Sequence, residues 1–550
     1  MGIFHSKPAE PKPATDQLRI IPREKKQIPE ADSKIPQRTK EARARPEIPP
    51  DVLVNPATID DPHEDELCGL YIDGLGFHET RDKLEKLLVK LGVQYRNVSK
   101  KKEEPHARIF FNNNEERAKA YSILSTYRHK NHVIYVVPLK KKYEYSRNLA
   151  DKRRLIIAND LAHRDIRDKI TPWYKIDYPE QLRQKSLKFT KIIEPIIPAG
   201  SGLVNVLPAP DPNNPRNKIE LTVARDLNGE IAVGYMLGSQ KEDIVAPINN
   251  CLNIPEGAPE LAELFRQYVV STNLPPFDRC IYQGVFKYVI IRQTRMGMSM
   301  ISAVTFGELP EEAQNLLKSS FESKVQSISY IETHCGEGLG KDYVIHHLSG
   351  PMFIQEDIRG IVFDISPVSF FQTNTLGAEL LFSKIEELCE VDNNTVLIDV
   401  CCGTGVIGLS MARKCHYVVG IDIEPQAIED AKRAANSNSI QNCEFIASPA
   451  ENVLNDILQK YDQEDVKVVA IVDPPRVGIH KKAALALRDS RKVKKLIYVS
   501  CNSDSLVHDS QKYLMAETLE SQPFKPQLWF GVDMFPNTDR CELVMLMTRE

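Results

Sequence analysis

The stretch Thr395-Val396-Leu397-Ile398-Asp399-Val400-Cys401-Cys402-Gly403-Thr404-Gly405 decides the fold. Its first part reads as an apolar strand carrying an acid near its end, and a helical pattern begins at Val406. A glycine-rich turn between a parallel strand and a helix lets a ligand approach the backbone closely. Residues 417–421 read as the next strand, which ends in Asp422, an acid placed to accept from two ribose hydroxyls. The pattern continues with strand 444–446, helix 450–458, strand 468–472, helix 481–489 and strand 496–500. Strands alternating with helices predict an α/β fold with a parallel, doubly wound, Rossmann-like sheet.

Glycine spacing alone leaves two ligands open. Gly403-Thr404-Gly405-Val406-Ile407-Gly408 fits the dinucleotide pattern, but Asp399 and two cysteines precede it. An acid, a G-x-G turn and a second acid also suit S-adenosylmethionine, which has no pyrophosphate and whose ammonium wants a nearby carboxylate.

The downstream residues decide. Strand 468–472 runs into Asp473-Pro474-Pro475-Arg476, a rigid turn that projects groups into the crevice at the carboxyl ends of the strands. The next strand ends Tyr498-Val499-Ser500-Cys501-Asn502, so Cys501 falls on the same edge. Free cysteine is usually a core residue, but the polar neighbours Ser500, Asn502 and Ser503 speak for exposure. Asp533-Met534-Phe535-Pro536-Asn537-Thr538 leads to Glu542, within a last strand at 541–547. A carboxylate among Leu543, Val544 and Leu546 must be paired or have a raised pKa, which suits a general base.

Phe370-Phe371-Gln372-Thr373-Asn374, Asp473-Pro474-Pro475-Arg476, Val499-Ser500-Cys501-Asn502 and Phe535-Pro536-x-Thr538 with Glu542 stand in the order of a known family. From about residue 165 to its end the chain resembles the class I RNA 5-methyluridine methyltransferases. Thr171-Pro172-Trp173, Arg216-Asn217-Lys218 and Ile365-Ser366-Pro367 also look like segments of that family. The resemblance implies an S-adenosylmethionine-dependent methylation of uridine C5 in RNA, with the T-loop uridine of tRNA as target. It implies Cys501 as nucleophile and Glu542 as the base that removes the C5 proton. Arg476 would neutralise an oxyanion on the base. Gln372, Cys401, Gly403, Gly405, Asp422 and Asp473 would bind the cofactor, and Arg216 and Lys218 the RNA. A depressed thiol pKa is expected at Cys501, because the thiolate is the nucleophile. The chain departs from the family at Arg540, where His is usual, at Cys401, where an aromatic often stands, and at Val406, where Asn is common. The iron–sulfur cysteines of some relatives are missing, so no metal cluster is expected.

Upstream, the texture changes at Glu66. Strand, helix, two strands, helix and strand follow within residues 64–142, the split order of an RNA-recognition motif or of a ferredoxin-like protein-binding domain. Tyr71 in Leu70-Tyr71-Ile72-Asp73-Gly74-Leu75 takes the place of a base-stacking aromatic, and His106 and Arg108 fall at the other two stacking positions. Lysine runs at 100–102 and 140–142 flank the region. Residues 143–365 read as a central α+β domain, with a helix at 180–186 and hairpins within 219–235 and 282–306, and residues 366–550 as the catalytic domain. Residues 1–63 are rich in Pro, Lys, Arg and Glu and are expected to be a disordered tail.

The net charge of −4 over 550 residues means that RNA would need a local basic surface. Eleven cysteines without metal spacing argue for a reducing compartment, cytoplasmic or nuclear. No apolar run reaches the about twenty residues of a spanning helix, and no signal-peptide core is read, so a soluble protein is expected. Met1-Gly2-Ile3-Phe4-His5-Ser6 fits the myristoylation pattern, by chance or by function. An acyl chain at Gly2 would give reversible membrane association. Several functions stay open beside uridine C5 methylation of tRNA. These are methylation of an rRNA or mRNA uridine, amino-group methylation of a base, 5-methylcytosine formation, and an RNA-folding chaperone role.

Overall fold

The computed structural model describes residues 69–138, 161–197, 206–238, 243–279, 283–340, 342–517 and 522–550, apart from 74, 76–79, 101–105, 130–131 and 214. The tail, the Gly2 pattern and lysines 101–102 and 140–142 lie outside the described residues.

Strands Gly69–Asp73, Asn97–Ser99, Ala107–Phe110 and Tyr135–Pro138 form an antiparallel sheet, with Gly69–Asp73 between Ala107–Phe110 and Tyr135–Pro138. Helices Arg81–Lys90 and Asn114–Thr126 bury Leu84, Leu88 and Leu124 against Leu70, Ile72 and Ile109. Each helix starts at a side-chain cap: Thr80 accepts from the Lys83 N–H and Asn113 from the Glu116 N–H. The second strand of this order is only three residues long, Asn97–Ser99.

The central sheet has seven strands, in the order Tyr343–Ser349, Ser327–Thr333, Ser299–Phe306, Phe286–Gln293, Lys218–Arg225, Ile231–Met236, Val245–Ala246. The pair Ser299–Phe306 and Ser327–Thr333 is parallel, joined across by helix Glu311–Phe321; the other pairs are antiparallel. Both hairpins read from the sequence lie in this sheet.

The catalytic sheet is built from β1 (Thr395–Val400), β2 (Tyr417–Asp422), β3 (Cys443–Ala447), β4 (Lys467–Val472), β5 (Val493–Ser500), β6 (Lys525–Val532) and β7 (Glu542–Thr548), in the order β3-β2-β1-β4-β5-β7-β6. The first five strands are parallel, and β7 runs antiparallel between β5 and β6. Every residue of β1 is buried, as a strand covered on both faces requires. Leu397 faces one core, with helices α1 (Thr375–Cys389), α2 (Val406–Ala412) and α3 (Pro425–Ser437). Val396, Ile398 and Val400 face the other, with α4 (Ala450–Lys460), α5 (Lys481–Asp489) and α6 (Ser503–Asp509). Helix Tyr178–Ile193, from the central region, also covers this second face through Phe189 and Ile193. The hairpin Ile354–Ile358/Ile361–Ile365 buries Ile354, Ile358 and Phe363 in the first core. Among the described residues no helix is long and apolar enough to cross a membrane.

Candidate active site

The strand order reverses between β1 and β4, and a crevice opens there at the carboxyl ends. At the tip of β1, Asp399 is fully buried. Its Oδ2 accepts from the Gly408 N–H at 2.9 Å and its Oδ1 has no partner. Burial pushes this carboxyl up to about 7. Cys401, Gly403 and Gly405 all take left-handed φ, of 64°, 54° and 73°. At Gly405 a Cβ would come within 2.6 Å of the Phe445 ring, so the turn needs both the conformation and the smallness of glycine. Asp422, at the end of β2, accepts from the Gly403 N–H at 2.8 Å and from the Glu424 N–H at 2.9 Å. Beside the turn stand two exposed apolar side chains, Phe370 (72%) and Ile423 (69%). Two acids at a glycine cradle, Asp399 and Asp422, flanked by apolar surface, match a cofactor with a sulfonium, an ammonium, a ribose and a flat ring. Gln372 is half-buried, and its carbonyl accepts from Asn217 Nδ2 at 2.9 Å. The same nitrogen also donates to Thr375 Oγ1 at 2.8 Å.

One strand further, Cys501 sits just past β5 and is exposed. The antiparallel register pairs Ser500 with Leu543, so Cys501 falls opposite Glu542. Glu542 is 9% exposed. Its carboxyl is held well above the usual range, by burial first and by the charge of Asp473 second. Asp473 itself is pushed up to about 6 by burial. The depressed thiol expected at Cys501 is not found: its pKa is raised. Burial is the main cause, with Glu542 adding to it, while the cation of Arg476 beside the sulfur pulls the other way. Asn502 Nδ2 donates to the Arg476 carbonyl at 2.8 Å. A cleft of about 520 Å³ opens over the thiol, lined by Arg476, Phe535 and Arg540 and by Lys188, Phe189 and Ile192 of helix Tyr178–Ile193.

That helix fixes the loop leading to Glu542. Lys185 and Asp533 form an ion pair at 2.6 Å with both side chains fully buried, and Lys185 also donates to the Phe535 carbonyl at 3.0 Å. The Tyr178 hydroxyl donates to Asp533 Oδ2 at 3.0 Å. Asn537, at φ 59°, donates Nδ2 to Asn253 Oδ1 at 3.2 Å, and Asn253 donates to the Pro536 carbonyl at 2.6 Å. Gln181 closes the set by donating to Asn537 Oδ1 at 3.0 Å and accepting its N–H at 2.8 Å. Asn374, the side-chain cap of α1, donates to the Met534 carbonyl at 3.1 Å, which joins the Gln372 segment to the same loop.

Cys501, Glu542, Arg476 and Asp473 therefore gather at one edge, with Asp422, Gly403, Gly405 and Cys401 adjacent. Lys218 opens the strand Lys218–Arg225 of the central sheet and Arg216 lies just before it: Arg216 Nε donates to the Lys218 carbonyl at 3.3 Å, and Lys218 pairs with Glu220 at 2.7 Å. Tyr71 is buried, with its ring 5.5 Å from that of His106. Sequence reasoning missed Lys185, Asn217, Asn253 and the lining of helix Tyr178–Ile193. Among the described residues no cluster of His, Cys, Asp and Glu could hold a metal ion.

Comparison with known proteins agrees with this geometry. Residues 391–523 match a family model described as a methyltransferase domain. The chain is 30% identical to the mouse tRNA (uracil-5-)-methyltransferase homolog A, covering 89% of this chain and 86% of that one. It is 31% identical to mouse homolog B, over 75% and 90% of the two chains. The solved structure of the Pyrococcus abyssi tRNA (uracil-54, C5)-methyltransferase in complex with S-adenosyl-L-homocysteine shares the fold, with a TM-score of 0.54 and 24% identity over 68% of this chain and 84% of that one. The chain belongs to the tRNA (uracil-5-)-methyltransferase family, and is an enzyme that uses S-adenosylmethionine.

Proposed function

We propose that the protein methylates C5 of a uridine in tRNA, the T-loop uridine, through a covalent bond between Cys501 and C6 of the base. The observation that carries this is Cys501 opposite Glu542, with Arg476 beside the thiol and an open cleft above it. C5 of uracil is a poor nucleophile until a group adds at C6. Attack by the Cys501 thiolate forms the S–C6 bond and moves the C5–C6 electron pair toward the C4 carbonyl, leaving C5 enolate-like. The Arg476 guanidinium stands where a developing oxyanion can be neutralised. The bound cofactor supplies an electrophilic methyl and a positive sulfonium, which also favours the ionised forms of neighbouring acids. Glu542 removes the C5 proton, the S–C6 bond breaks, the C5–C6 double bond returns and the thiolate is regenerated. A carboxyl buried this way is a strong proton acceptor once ionised, which fits the task. The uridine must leave its stack to enter the cleft, which favours a loop. A 5-fluorouridine-substituted tRNA transcript with labelled S-adenosylmethionine tests the chemistry. Fluorine cannot leave as a proton, so a protein–RNA adduct stable in a denaturing gel is expected, and it should vanish with Cys501→Ala. Methyl transfer to ordinary tRNA with no adduct on the fluorinated one would reject the mechanism.

A further inference from the structure

One buried carboxylate beneath the nucleophile takes no part in the chemistry above. Asp509 closes α6 and is 2% exposed. Its Oδ2 accepts from the Tyr498 hydroxyl at 2.7 Å and from the Ile479 N–H at 2.8 Å. Its Oδ1 meets His508 Nδ1 at 2.9 Å. Tyr498 is fully buried on β5, the strand that delivers Cys501. Ile479 ends the turn that delivers Arg476. Between them Gly478 takes φ +88°, and a Cβ there would stand 2.3 Å from Asp509 Oδ2, so the turn is drawn down onto this carboxylate. From above, Asn502 caps α6 and holds the Arg476 carbonyl. One side chain thus ties the thiol's strand to the guanidinium's turn.

We propose that Asp509 is a positioning residue that holds Arg476 beside Cys501 and so sets how readily the thiol ionises. The proposal rests on the reading of Cys501 as nucleophile and Arg476 as its cation. A cation lowers a neighbouring thiol's pKa only at short range. Loosening the turn lets the exposed Arg476 move away from the sulfur, so that Glu542 and Asp473, which both disfavour its ionisation, weigh more against the cations left in the cleft, Lys188 and Arg540. The polar groups facing Asp509 are Tyr498 and His508, with Lys512 behind His508 at 3.5 Å. A purely structural Asp509 would affect unfolding and leave the thiol's titration alone.

The test is the rate of iodoacetamide alkylation of Cys501 across pH in the full-length protein, read by mass spectrometry on the peptide that carries it, with thermal unfolding alongside. Asp509→Asn, Tyr498→Phe and Arg476→Gln are compared with wild type. Asp509→Asn is expected to slow alkylation at neutral pH about tenfold, with rates converging at high pH where the thiol is fully ionised. Tyr498→Phe, which keeps the buried ring, should shift the profile the same way and carries the test if Asp509→Asn does not fold. A folded Asp509→Asn or Tyr498→Phe whose profile overlays wild type, while Arg476→Gln shifts it, overturns the positioning role. If Arg476→Gln leaves the profile unmoved, the pairing of Arg476 with Cys501 fails and the proposal falls with it.

Discussion

Replacing Lys185 by Met keeps the length of the side chain and removes its charge. Asp533 then remains as a carboxylate buried beyond the reach of water, with the Tyr178 hydroxyl at 3.0 Å and the Phe535 N–H at 3.2 Å as its remaining donors. Removing one partner of a fully buried ion pair costs about 3–5 kcal/mol, because the other charge is left uncompensated. In a domain of this size each kcal/mol lowers Tm by about 2–4 °C, so a fall of roughly 6–20 °C is expected. Activity should fall further than stability at 25 °C would suggest. The Phe535 carbonyl loses its lysine donor, and the loop that delivers Glu542 loses an anchor. A displacement of about 1 Å at a catalytic group can cost about a hundredfold in rate. Adding Asp533→Asn should recover about 2 kcal/mol, since no charge is then left buried. The measurements are denaturant unfolding, thermal unfolding and single-turnover methylation of tRNA. A Lys185→Met protein within about 1 kcal/mol of wild type and with unchanged turnover would show that the pair neither stabilises the fold nor positions the loop.

Glu542→Gln should leave attack by Cys501 intact and block loss of the C5 proton, so a methylated protein–RNA adduct should accumulate on ordinary tRNA; denaturing gels would reveal it, and free methylated product at the wild-type rate would contradict the assignment. Asn217→Ala removes two hydrogen bonds under the Gln372 segment; the KM for S-adenosylmethionine should rise about tenfold, at roughly 0.5–1.5 kcal/mol per bond, with the KM for tRNA little changed. Asp399 has a folded pKa of about 7, above the ordinary carboxylate value, so the folded state binds the extra proton. Its favourable contribution is complete below the unfolded pKa of about 4 and is lost as pH rises through the folded value. Stability of the cofactor-free protein should therefore fall between about pH 4 and about pH 7, and Asp399→Asn should flatten that slope in unfolding curves taken across pH.

The Rossmann-like half was legible because its signals are local. A buried parallel strand is a continuous apolar run, and the helix expected to begin at Val406 begins there. Helix 481–489 also has the bounds read from the sequence. Cys501 was readable because polar neighbours at a strand end imply exposure. The direction of its pKa was not, since that depends first on burial in the packed site and then on Glu542, across a strand pair formed by residues far apart in the chain. The helix expected at 180–186 runs from Tyr178 to Ile193, because Phe189 and Ile193 bury against a sheet made much later in the chain. Lys185 looks like an ordinary surface cation until Asp533 arrives, and Asn217 looks like a loop residue until the Gln372 carbonyl meets it. Arg216 and Lys218, singled out beside it, lie before and at the start of a central-sheet strand and do not line the cleft over Cys501.

The place of β7 also constrains how a ribosome-bound chain can reach this structure. The strand synthesised last of the seven lies between two that are already made. Before it docks, β6 has no other strand of the sheet to pair with, only the bridge from Val532 to Leu207, and the outer edge of β5 is a bare row of amides and carbonyls, the kind of surface that recruits stray strands. Docking of β7 supplies both missing ladders and brings Glu542 opposite Cys501 in one event. Assembly of the Cys501–Glu542 pair should therefore be the closing step of folding, and nascent chains stalled before residue 542 should depend most on chaperones.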